Sequence, residues 1–371
     1  MKRILLFSFF NSNNIGDRAI STIFRETFET EYEVVCCSNE GSFNICDKYT
    51  PEEILFGERI KRKILCVLKK RYKSPMYKRF LDEYKNKLDK CSCVVFGGGN
   101  LMMDYSKKTN SSYKIQDYVE IAKAYGCKCY AFSIGIGPFA SNIQAKRAAE
   151  TLNMFDYITF RDKKSYDLFV NNGGIKGIAG ISIDPVFSLS SIDSSNCDRN
   201  VIALNVINPT WFGVDNAKNI LNQYCRFVLD LSERFPNNTI SLFCTELTDR
   251  KAQEYIYDYV SDRNNVTVVD IYDIKQLNKL YSCSKIVLGA RMHSLIIAYG
   301  HRVPVIGLSW TDKVCEFFSI IDKPERCFNI FEMCENKDRI FDLIEVNEEW
   351  DFEPLINKSI CSLSRALEVI E

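Results

Sequence analysis

Histidine is almost absent from this 371-residue sequence, which contains only His293 and His301. Both fall in the stretch VLGARMHSLIIAYGHRVPVIGLSW, from Val287 to Trp310. Histidine is the side chain that ordinarily titrates near neutral pH. General acid–base chemistry that needs such a group is therefore expected in this stretch rather than elsewhere in the chain.

The sequence also lacks an excess of charge, a long apolar run and any zinc-type spacing of cysteine. Lysine plus arginine and aspartate plus glutamate each number 48, so bulk charge gives no reason to expect a nucleic acid partner. No apolar run approaches the ~20 residues that span a bilayer. None of the 16 cysteines forms a C-x-x-C pair, and we expect buried thiols in a reducing cytoplasm, with no bound metal.

The N-terminal sequence MKRILLFSFFNSNNIGD superficially resembles a signal peptide, because a basic start precedes apolar residues. The apolar run is short, however, and no small-residue cleavage site follows it. We interpret this segment as a buried first β-strand, and we expect a cytoplasmic protein.

Short apolar runs alternate with longer amphipathic segments along the chain, a pattern typical of βαβ units and parallel sheets. A polar, Ser-rich stretch at residues 188–200 lacks apolar periodicity and is predicted to be a linker. The fold class is therefore α/β, with two Rossmann-like, doubly wound domains facing a cleft. The predicted domains cover residues 1–190 and 200–350, and a C-terminal helix covers 353–371.

The predicted strands share short, apolar and often β-branched sequences. They are Arg3–Phe10, Glu33–Ser38, Cys93–Phe96, Cys129–Ile134, Tyr157–Phe160, Ile178–Ile183, Val201–Val206, Ile240–Cys244, Val266–Val269, Ile286–Leu288 and Val303–Leu308. The predicted helices share an amphipathic spacing. They are Asp17–Phe28, Tyr113–Tyr125, Ala145–Met154, Lys164–Asn171, Ala217–Glu233, Arg250–Val260, Ile274–Tyr281, Ser294–Tyr299, Lys313–Ile320 and Glu353–Ile370.

One segment, residues 59–90, is rich in lysine and arginine and poor in acids. Charge runs of this kind are usually the solvated faces of exposed helices. The alternative is a surface that meets anionic lipid headgroups or a pyrophosphate-linked acceptor, which would make the protein peripheral at the inner face of the membrane.

Polar or glycine-rich clusters follow four predicted strands of the first domain. They are Asn11–Asp17, Gly97–Asn100 with Asp104 beyond it, Ser133–Pro138, and Arg161 with Asp162. Ligands of open parallel sheets bind beyond the carboxyl ends of the strands, so these clusters mark a candidate binding edge. Neither a G-x-G-x-x-G nor a Walker A pattern is present, which excludes the standard dinucleotide and nucleoside triphosphate loops.

In the second domain, Arg291 and His293 fall between a strand and the start of a helix, where free backbone N–H groups favour anions. Arginine suits bidentate capture of a carboxylate or phosphate, and Lys313 begins the next predicted helix. The structural alternatives are a capping or core role for His293 and, for Arg291, pairing with an interdomain carboxylate. We expect His301, at the opposite edge of the sheet, to be structural.

The chain resembles the polysaccharide pyruvyl transferases, which transfer pyruvate from phosphoenolpyruvate to sugars as a ketal. The resemblance covers most of the length. It rests on Asn14-Ile-Gly-Asp17, Gly97-Gly-Gly-Asn-Leu101 with Asp104, Ser133-Ile-Gly-Ile-Gly-Pro138, Arg161-Asp162, Asp184-Pro185, Gly289-Ala-Arg291-Met-His293-Ser294 and Val303-Pro-Val-Ile-Gly307.

The resemblance implies a GT-B-like architecture with no metal and no cofactor, phosphoenolpyruvate being a co-substrate. It implies that Arg161, Arg291 and His293 serve phosphoenolpyruvate. In the mechanism that we predict, His293 and Asp17 are the catalytic residues. Donor-binding residues would be Arg161, Arg291, Met292, Ser294 and Lys313. Acceptor-binding residues would be Asn13, Asn14, Gly16, Gly98, Gly99, Asn100 and Asp104. Two departures, Arg18 where an acid is expected and the basic segment 59–90, leave the acceptor open.

The implied acceptor is a sugar of a bacterial surface polysaccharide or of its lipid-linked precursor. Two other functions fit the same pattern. One is a GT-B glycosyltransferase that uses a nucleotide sugar, for which Glu316 would be the candidate ribose ligand. The other is a non-catalytic binding protein that kept the fold, against which the Arg–x–His pair argues.

Overall fold

The computed structural model describes residues 1–38, 75–189, 199–212 and 214–371. Residues 59–74 of the basic segment and 190–198 of the predicted linker lie outside these ranges. The described residues form two compact units. Unit 1 comprises Met1–Ser12, Asp17–Pro185 and Asn357–Glu371, and unit 2 comprises Asn13–Gly16 and Val186–Ile356.

The strands are named in chain order. They are β1 (Arg3–Ser8), β2 (Glu33–Ser38), β3 (Cys91–Gly97), β4 (Asn100–Asp104), β5 (Lys128–Phe139), β6 (Tyr157–Phe160), β7 (Ala179–Ile181), β8 (Val201–Asn205), β9 (Thr239–Phe243), β10 (Val266–Val269), β11 (Ser284–Gly289), β12 (Val305–Ser309) and β13 (Cys327–Asn329).

The α-helices are α1 (Ile15–Phe28), α2 (Pro75–Lys87), α3 (Ser111–Ala124), α4 (Asn142–Leu152), α5 (Lys163–Asn171), α6 (Val214–Arg234), α7 (Arg250–Tyr259), α8 (Ile274–Ser282), α9 (Met292–Gly300), α10 (Asp312–Ile320), α11 (Lys337–Glu345) and α12 (Glu353–Ile370). Short 3₁₀ helices lie at Lys176–Ile178, Pro185–Ser188, Pro209–Phe212, Leu247–Asp249, Pro324–Arg326 and Ile330–Glu332.

Unit 1 is built on a parallel sheet with the strand order β2-β1-β3-β5-β6-β7, and β4 lies beside β5. Its strands are continuous apolar runs such as RILLFS and CSCVVFG, whose residues are almost all buried. A strand that is apolar on both sides must be covered on both faces, which is how helices pack on a parallel sheet. The core of this unit therefore forms around β1, β3 and β5.

Unit 2 contains a second parallel sheet with the order β10-β9-β8-β11-β12-β13. Counted from the first strand of the unit, this is the order 3-2-1-4-5-6 of a Rossmann fold. The chain leaves β8 toward one edge and returns at β11 to build the other. The point where the strand order reverses therefore lies between β8 and β11, and in such sheets ligands bind beyond the carboxyl ends of those two strands.

The structure confirms every predicted strand and helix to within a few residues, and Glu33–Ser38, Tyr157–Phe160, Val266–Val269 and Glu353–Ile370 match the predicted bounds. The α/β class is likewise confirmed. The sequence reading missed β4, β13 and α11, because the two strands are short and the helix follows a polar turn. In the part of the chain that is described, none of the helices combines the length and apolar character needed to cross a membrane.

Candidate functional site

The strand-order reversal in unit 2 brings Asn205, the last residue of β8, beside the turn that follows β11. The Asn205 side chain is fully buried, and its Oδ1 accepts a hydrogen bond from the backbone N–H of Arg291 at 3.2 Å. Arg291 is the N-cap of α9, although its side chain makes no capping hydrogen bond. Asn205 thus fixes the start of α9 at the position where ligands of this fold bind.

The Arg291 guanidinium pairs with Asp249, which ends the short helix after β9. Nε and Nη2 of Arg291 donate to the two carboxylate oxygens of Asp249 at 2.9 and 2.7 Å. The Asp249 side chain is completely buried and also accepts the backbone N–H of Asn208 at 2.9 Å. Burial opposes the charge of Arg291, but Asp249 and Glu246 outweigh this effect and raise the pKa of the guanidinium. Arg291 is therefore a cation with a built-in carboxylate partner.

A second carboxylate, that of Glu246, contacts the remaining terminal nitrogen of Arg291. The distance from Arg291 Nη1 to Glu246 Oε2 is 2.8 Å, and both side chains are about 15% exposed. The other oxygen, Oε1, accepts a hydrogen bond from the Thr248 hydroxyl at 2.9 Å. Both carboxylate partners of Arg291 belong to its own unit, whereas the structural alternative was an interdomain carboxylate. Its assignment to a donor anion stays a prediction.

His293 lies in the first turn of α9 and packs against the segment Asn13–Gly16. A Cβ atom added to Gly16 would lie 2.3 Å from Cβ of His293 and 2.4 Å from Nδ1, so only glycine leaves room for the imidazole. Asn14 Oδ1 accepts the backbone N–H of Gly16 at 2.8 Å, which forms a tight turn at this point. Two motifs from opposite ends of the chain therefore meet at the imidazole.

The Asn13–Gly16 segment is fastened to the loop that carries Glu246. Asn14 and Glu246 form an isolated antiparallel bridge, and the backbone N–H of Ile15 donates to the carbonyl of Thr245 at 3.0 Å. Three predicted site residues, Asn13, Asn14 and Gly16, consequently belong to the same unit as His293 and Arg291.

His301 has the structural role that was predicted for it. It is the C-cap of α9, is 4% exposed, and its Nε2 lies 3.0 Å from Oδ1 of Asn278. Burial, together with the nearby Arg199 and Arg302, lowers the pKa of His301 to about 4. His301 is therefore uncharged at neutral pH, and the acid–base role of His293 stays a prediction.

The other predicted donor residues of unit 2 occupy different environments. Met292 and Lys313 are half-buried, in the first turns of α9 and α10. Ser294 is completely buried, and its hydroxyl lies 2.8 Å from that of the buried Tyr281. The Ser294 side chain is thus turned toward the core, and its assignment to the donor stays a prediction.

In unit 1, Arg161 follows β6 and joins several of the predicted clusters. Nη1 donates to Asp184 Oδ2 at 3.0 Å, and Nη2 donates to Asn100 Oδ1 at 2.9 Å. Its side chain is 8% exposed, and a Cβ on Gly135 would lie 3.1 Å from Nε. Arg161 therefore links the end of β6 to the start of β4 and to Asp184, which lies beyond β7. Its proposed donor role, like that of Asn100 toward an acceptor, stays a prediction.

Gly98 and Gly99 have positive φ angles of 58° and 71°, in the left-handed region that favours glycine. A Cβ on Gly98 would lie 2.1 Å from the Ile20 side chain, and one on Gly99 would lie 2.7 Å from the Phe9 ring. Both glycines are explained by the turn and by packing against α1 and the end of β1. No acceptor is needed to account for them.

Asp104, which was predicted to bind the sugar diol, contacts Ser111 at the start of α3. Asp104 is only 2% exposed. Its carboxylate accepts hydrogen bonds from the backbone N–H and from the hydroxyl of Ser111, each at 3.0 Å. Asp104 thus anchors the start of α3, where a carboxylate stabilises free N–H groups, and its binding of the sugar diol stays a prediction. Asp17, in the first turn of α1, remains half-buried and accepts the Ser12 hydroxyl at 3.1 Å.

Sequence reasoning missed Asn205, Glu246 and Asp249. Glu246 and Asp249 lie in the polar stretch TELTDR, directly after the predicted strand Ile240–Cys244. The criterion applied to the first domain, polar residues at the carboxyl end of a strand, would have found both acids. Asn205 offered a weaker signal, a single amide at the end of an apolar run. Among the described residues, no three histidine, cysteine or acidic side chains are grouped to hold a metal ion.

A sequence profile for polysaccharide pyruvyl transferases matches residues 14–312, most of the chain, including the Arg161, Arg291 and His293 motifs. The chain belongs to the polysaccharide pyruvyl transferase family. As a member of that family it is classed as a transferase that acts in polysaccharide biosynthesis. No curated protein matches the sequence at a significant level.

Solved structures resemble this pyruvyl transferase family member over its whole length. The UDP-GlcNAc 2-epimerase of Methanocaldococcus jannaschii gives a TM-score of 0.63 at 12% identity, covering 99% of this chain and 98% of that one. The Neisseria meningitidis UDP-GlcNAc 2-epimerase bound to UDP-GlcNAc gives 0.54 at 12%, with 99% and 100% covered. An alpha-glucosyltransferase solved with UDP and a 13-mer DNA gives 0.52 at 13%, with 99% of each chain covered. At such low identity these likenesses show the fold alone, and they confirm the GT-B-like class.

Proposed function

We propose that this chain transfers the pyruvyl group of phosphoenolpyruvate to one sugar of a bacterial surface polysaccharide or its precursor, forming a cyclic ketal. The family membership supports the transfer of pyruvate to a saccharide. The observation that carries the proposal is the packing of Gly16 against His293, which joins the first motif of the family match to its most specific one. Such close packing across the sequence fixes the imidazole in one position, as general acid–base catalysis requires.

The reaction has a definite order of bond changes. A proton adds to C3 of phosphoenolpyruvate, which makes C2 electrophilic, and one sugar hydroxyl adds to C2 and loses its proton. The C2–O bond to phosphate then breaks, and inorganic phosphate leaves with a proton. The second hydroxyl of the same sugar adds to C2, loses its proton and closes the ketal. The two protons lost by the sugar hydroxyls balance the proton added to C3 and the proton taken up by phosphate.

In this scheme His293 is the general acid and base. An ordinary imidazole exchanges protons near neutral pH, and the chain has no second histidine suited to that role. Arg291 and Arg161 supply the positive charge for the two anionic groups of the donor, with Lys313 as a further cation. The carboxylate partners of both arginines keep the guanidinium groups oriented before a ligand arrives.

The acceptor side of the proposal uses Asp17, Asn13 and Asn14. Asp17 would bind or deprotonate the sugar diol, since its carboxylate is half-buried rather than sealed in the core as that of Asp104 is. We propose a cytoplasmic location. We also propose that the basic segment at residues 59–90 brings the protein to anionic lipid or to a pyrophosphate-linked acceptor.

A thermal-shift comparison tests the donor directly. Purified full-length protein is heated with phosphoenolpyruvate, with UDP-GlcNAc or with GDP-mannose, and with buffer alone. A donor present at 100 times its Kd adds about 2.7 kcal/mol to the stability of the folded state, which raises Tm by several degrees. We expect this rise with phosphoenolpyruvate. A rise with a nucleotide sugar and none with phosphoenolpyruvate would favour the glycosyltransferase alternative instead.

A further inference from the structure

The two carboxylates that contact Arg291 are not equivalent. Asp249 is completely buried and binds the guanidinium through two hydrogen bonds. It also accepts a hydrogen bond from the backbone N–H of Asn208. Glu246 contacts only Nη1, from the partly exposed side, and its other oxygen is held by the hydroxyl of Thr248. The buried pair is a permanent part of the fold, whereas the outer contact faces solvent.

The charges of this cluster do not suit an anion site in its present state. One guanidinium faces two carboxylates, so the three side chains together carry a net negative charge when all are ionised. Three of the five guanidinium N–H groups of Arg291 are engaged by the two carboxylates, and a carboxylate or phosphate ligand that approached Nη1 would be repelled by Glu246. Removing Asp249 from the cluster would leave a buried charge unpaired, which is strongly destabilising. Moving Glu246 exposes only the Nη1 edge and leaves the guanidinium paired with Asp249, so no buried charge is left without a partner.

We propose that Glu246 is an internal anion that covers the outer edge of Arg291 and is displaced when an anionic ligand binds there. The ligand class is a small molecule with a carboxylate or phosphate group. The inference rests on the proposed function for identifying the donor as phosphoenolpyruvate, but the anion exchange itself follows from the contacts of Arg291.

The backbone of Glu246 is fixed by contacts that do not involve its side chain. Its main chain pairs with Asn14, and its carbonyl accepts the backbone N–H of Asp249 at 2.9 Å. A change of side-chain rotamer would separate the carboxylate from Arg291 without breaking these backbone contacts. Because the same residue holds the Asn14 turn that packs on His293, the anion exchange takes place beside the imidazole.

Calorimetric titration of purified full-length protein tests the exchange, with inorganic phosphate and phosphoenolpyruvate as separate probes. Glu246→Gln keeps the size of the side chain and removes the competing charge. We expect Kd for both probes to fall about 10-fold in this variant, because a neutral amide competes poorly for a charge-assisted donor. Thr248→Val removes the second anchor of Glu246 and should lower Kd by about 2- to 3-fold.

Glu254→Gln is the matched control. Glu254 lies on α7 of the same unit, pairs with Arg250 and is 57% exposed, so this variant loses the same charge without touching Arg291. Its Kd should stay within about 2-fold of the wild-type value. Unchanged or weaker phosphate binding by Glu246→Gln, or by Thr248→Val if the first variant does not fold, overturns the inference. Tighter phosphate binding with no phosphoenolpyruvate binding in any variant supports the exchange and removes the proposed donor.

Discussion

At the scale of single residues, the two histidines of this chain differ in burial and in their contacts. His293 is half-buried at the start of a helix and packs on a glycine turn. His301 is almost completely buried at the end of the same helix and is paired with Asn278. One helix thus carries the proposed catalytic histidine in its first turn and a buried structural histidine at its C-cap.

Replacing His293 with alanine tests the catalytic assignment. We expect turnover to fall by about 10²-fold or more, the usual effect of losing a general acid–base group. The measurement is phosphate release from phosphoenolpyruvate in the presence of an acceptor. His301→Gln is the control and should keep wild-type turnover, since His301 has no place in the reaction. Wild-type turnover in His293→Ala would refute the role.

His301 also predicts a pH dependence of stability. Its pKa is 6.5 in an ordinary imidazole and about 4 in the folded protein, so the unfolded chain binds the proton first as pH falls. The contribution of neutral His301 is complete above pH 6.5 and is lost toward pH 4. Between pH 7 and pH 5 the free energy of unfolding should fall by about 2 kcal/mol more in the wild type than in His301→Gln. Urea unfolding at both pH values measures this difference, and parallel pH profiles would contradict it.

At the scale of elements, the candidate site depends on how turns are joined at the carboxyl edge of a sheet. The turn after β11 carries Arg291 and His293, the loop after β9 carries Glu246 and Asp249, and Asn205 ends β8 between them. Each connection is short and polar, but the strand order decides that the three lie side by side. The Asn13–Gly16 segment is added to this edge by backbone hydrogen bonds to the β9 loop.

Gly16→Ala tests whether that junction controls His293. The new Cβ would lie 2.3 Å from Cβ of His293, which is close to the backbone and cannot swing away. We expect a loss of stability of about 1–3 kcal/mol, as for other overpacked sites, and turnover at least 10-fold lower. Gly177→Ala is the control, because nothing lies within 4 Å of its Cβ. Urea unfolding and phosphate release measure the two effects. Equal behaviour of the two variants would show that the junction is not tight.

At the scale of the whole molecule, the chain does not divide into units at a single point. The boundary falls between Pro185 and Val186, yet Asn357–Glu371 returns to unit 1 and Asn13–Gly16 belongs to unit 2. The returning helix is held by the Ser359 hydroxyl, which donates to the carbonyl oxygens of Asp184 and Pro185 at 3.3 and 3.1 Å. Amphipathic spacing predicts that this helix exists, but it carries no signal for the unit on which it packs.

Much of the fold was available from local pattern. The runs CVVF and VTVV are too short and apolar for helices and lie between amphipathic segments, so they read as buried strands of a parallel sheet. The strand NLMMD was not predicted, because it follows three glycines and pairs with only one neighbouring strand. Boundaries shifted by a few residues where capping side chains rather than apolar spacing set the helix start, as Ser141 does for α4.

The sequence by itself determined the α/β class, the order of most elements and the location of Arg291 and His293 at a strand-to-helix turn, because these depend on residues that are near neighbours in the chain. The tertiary structure decided which carboxylates hold Arg291, that Gly16 packs on His293, and that Asp104 and Ser294 are buried supports. Those outcomes depend on pairs of side chains that are distant in sequence, and only the strand order and the packing of each unit bring such pairs within contact distance.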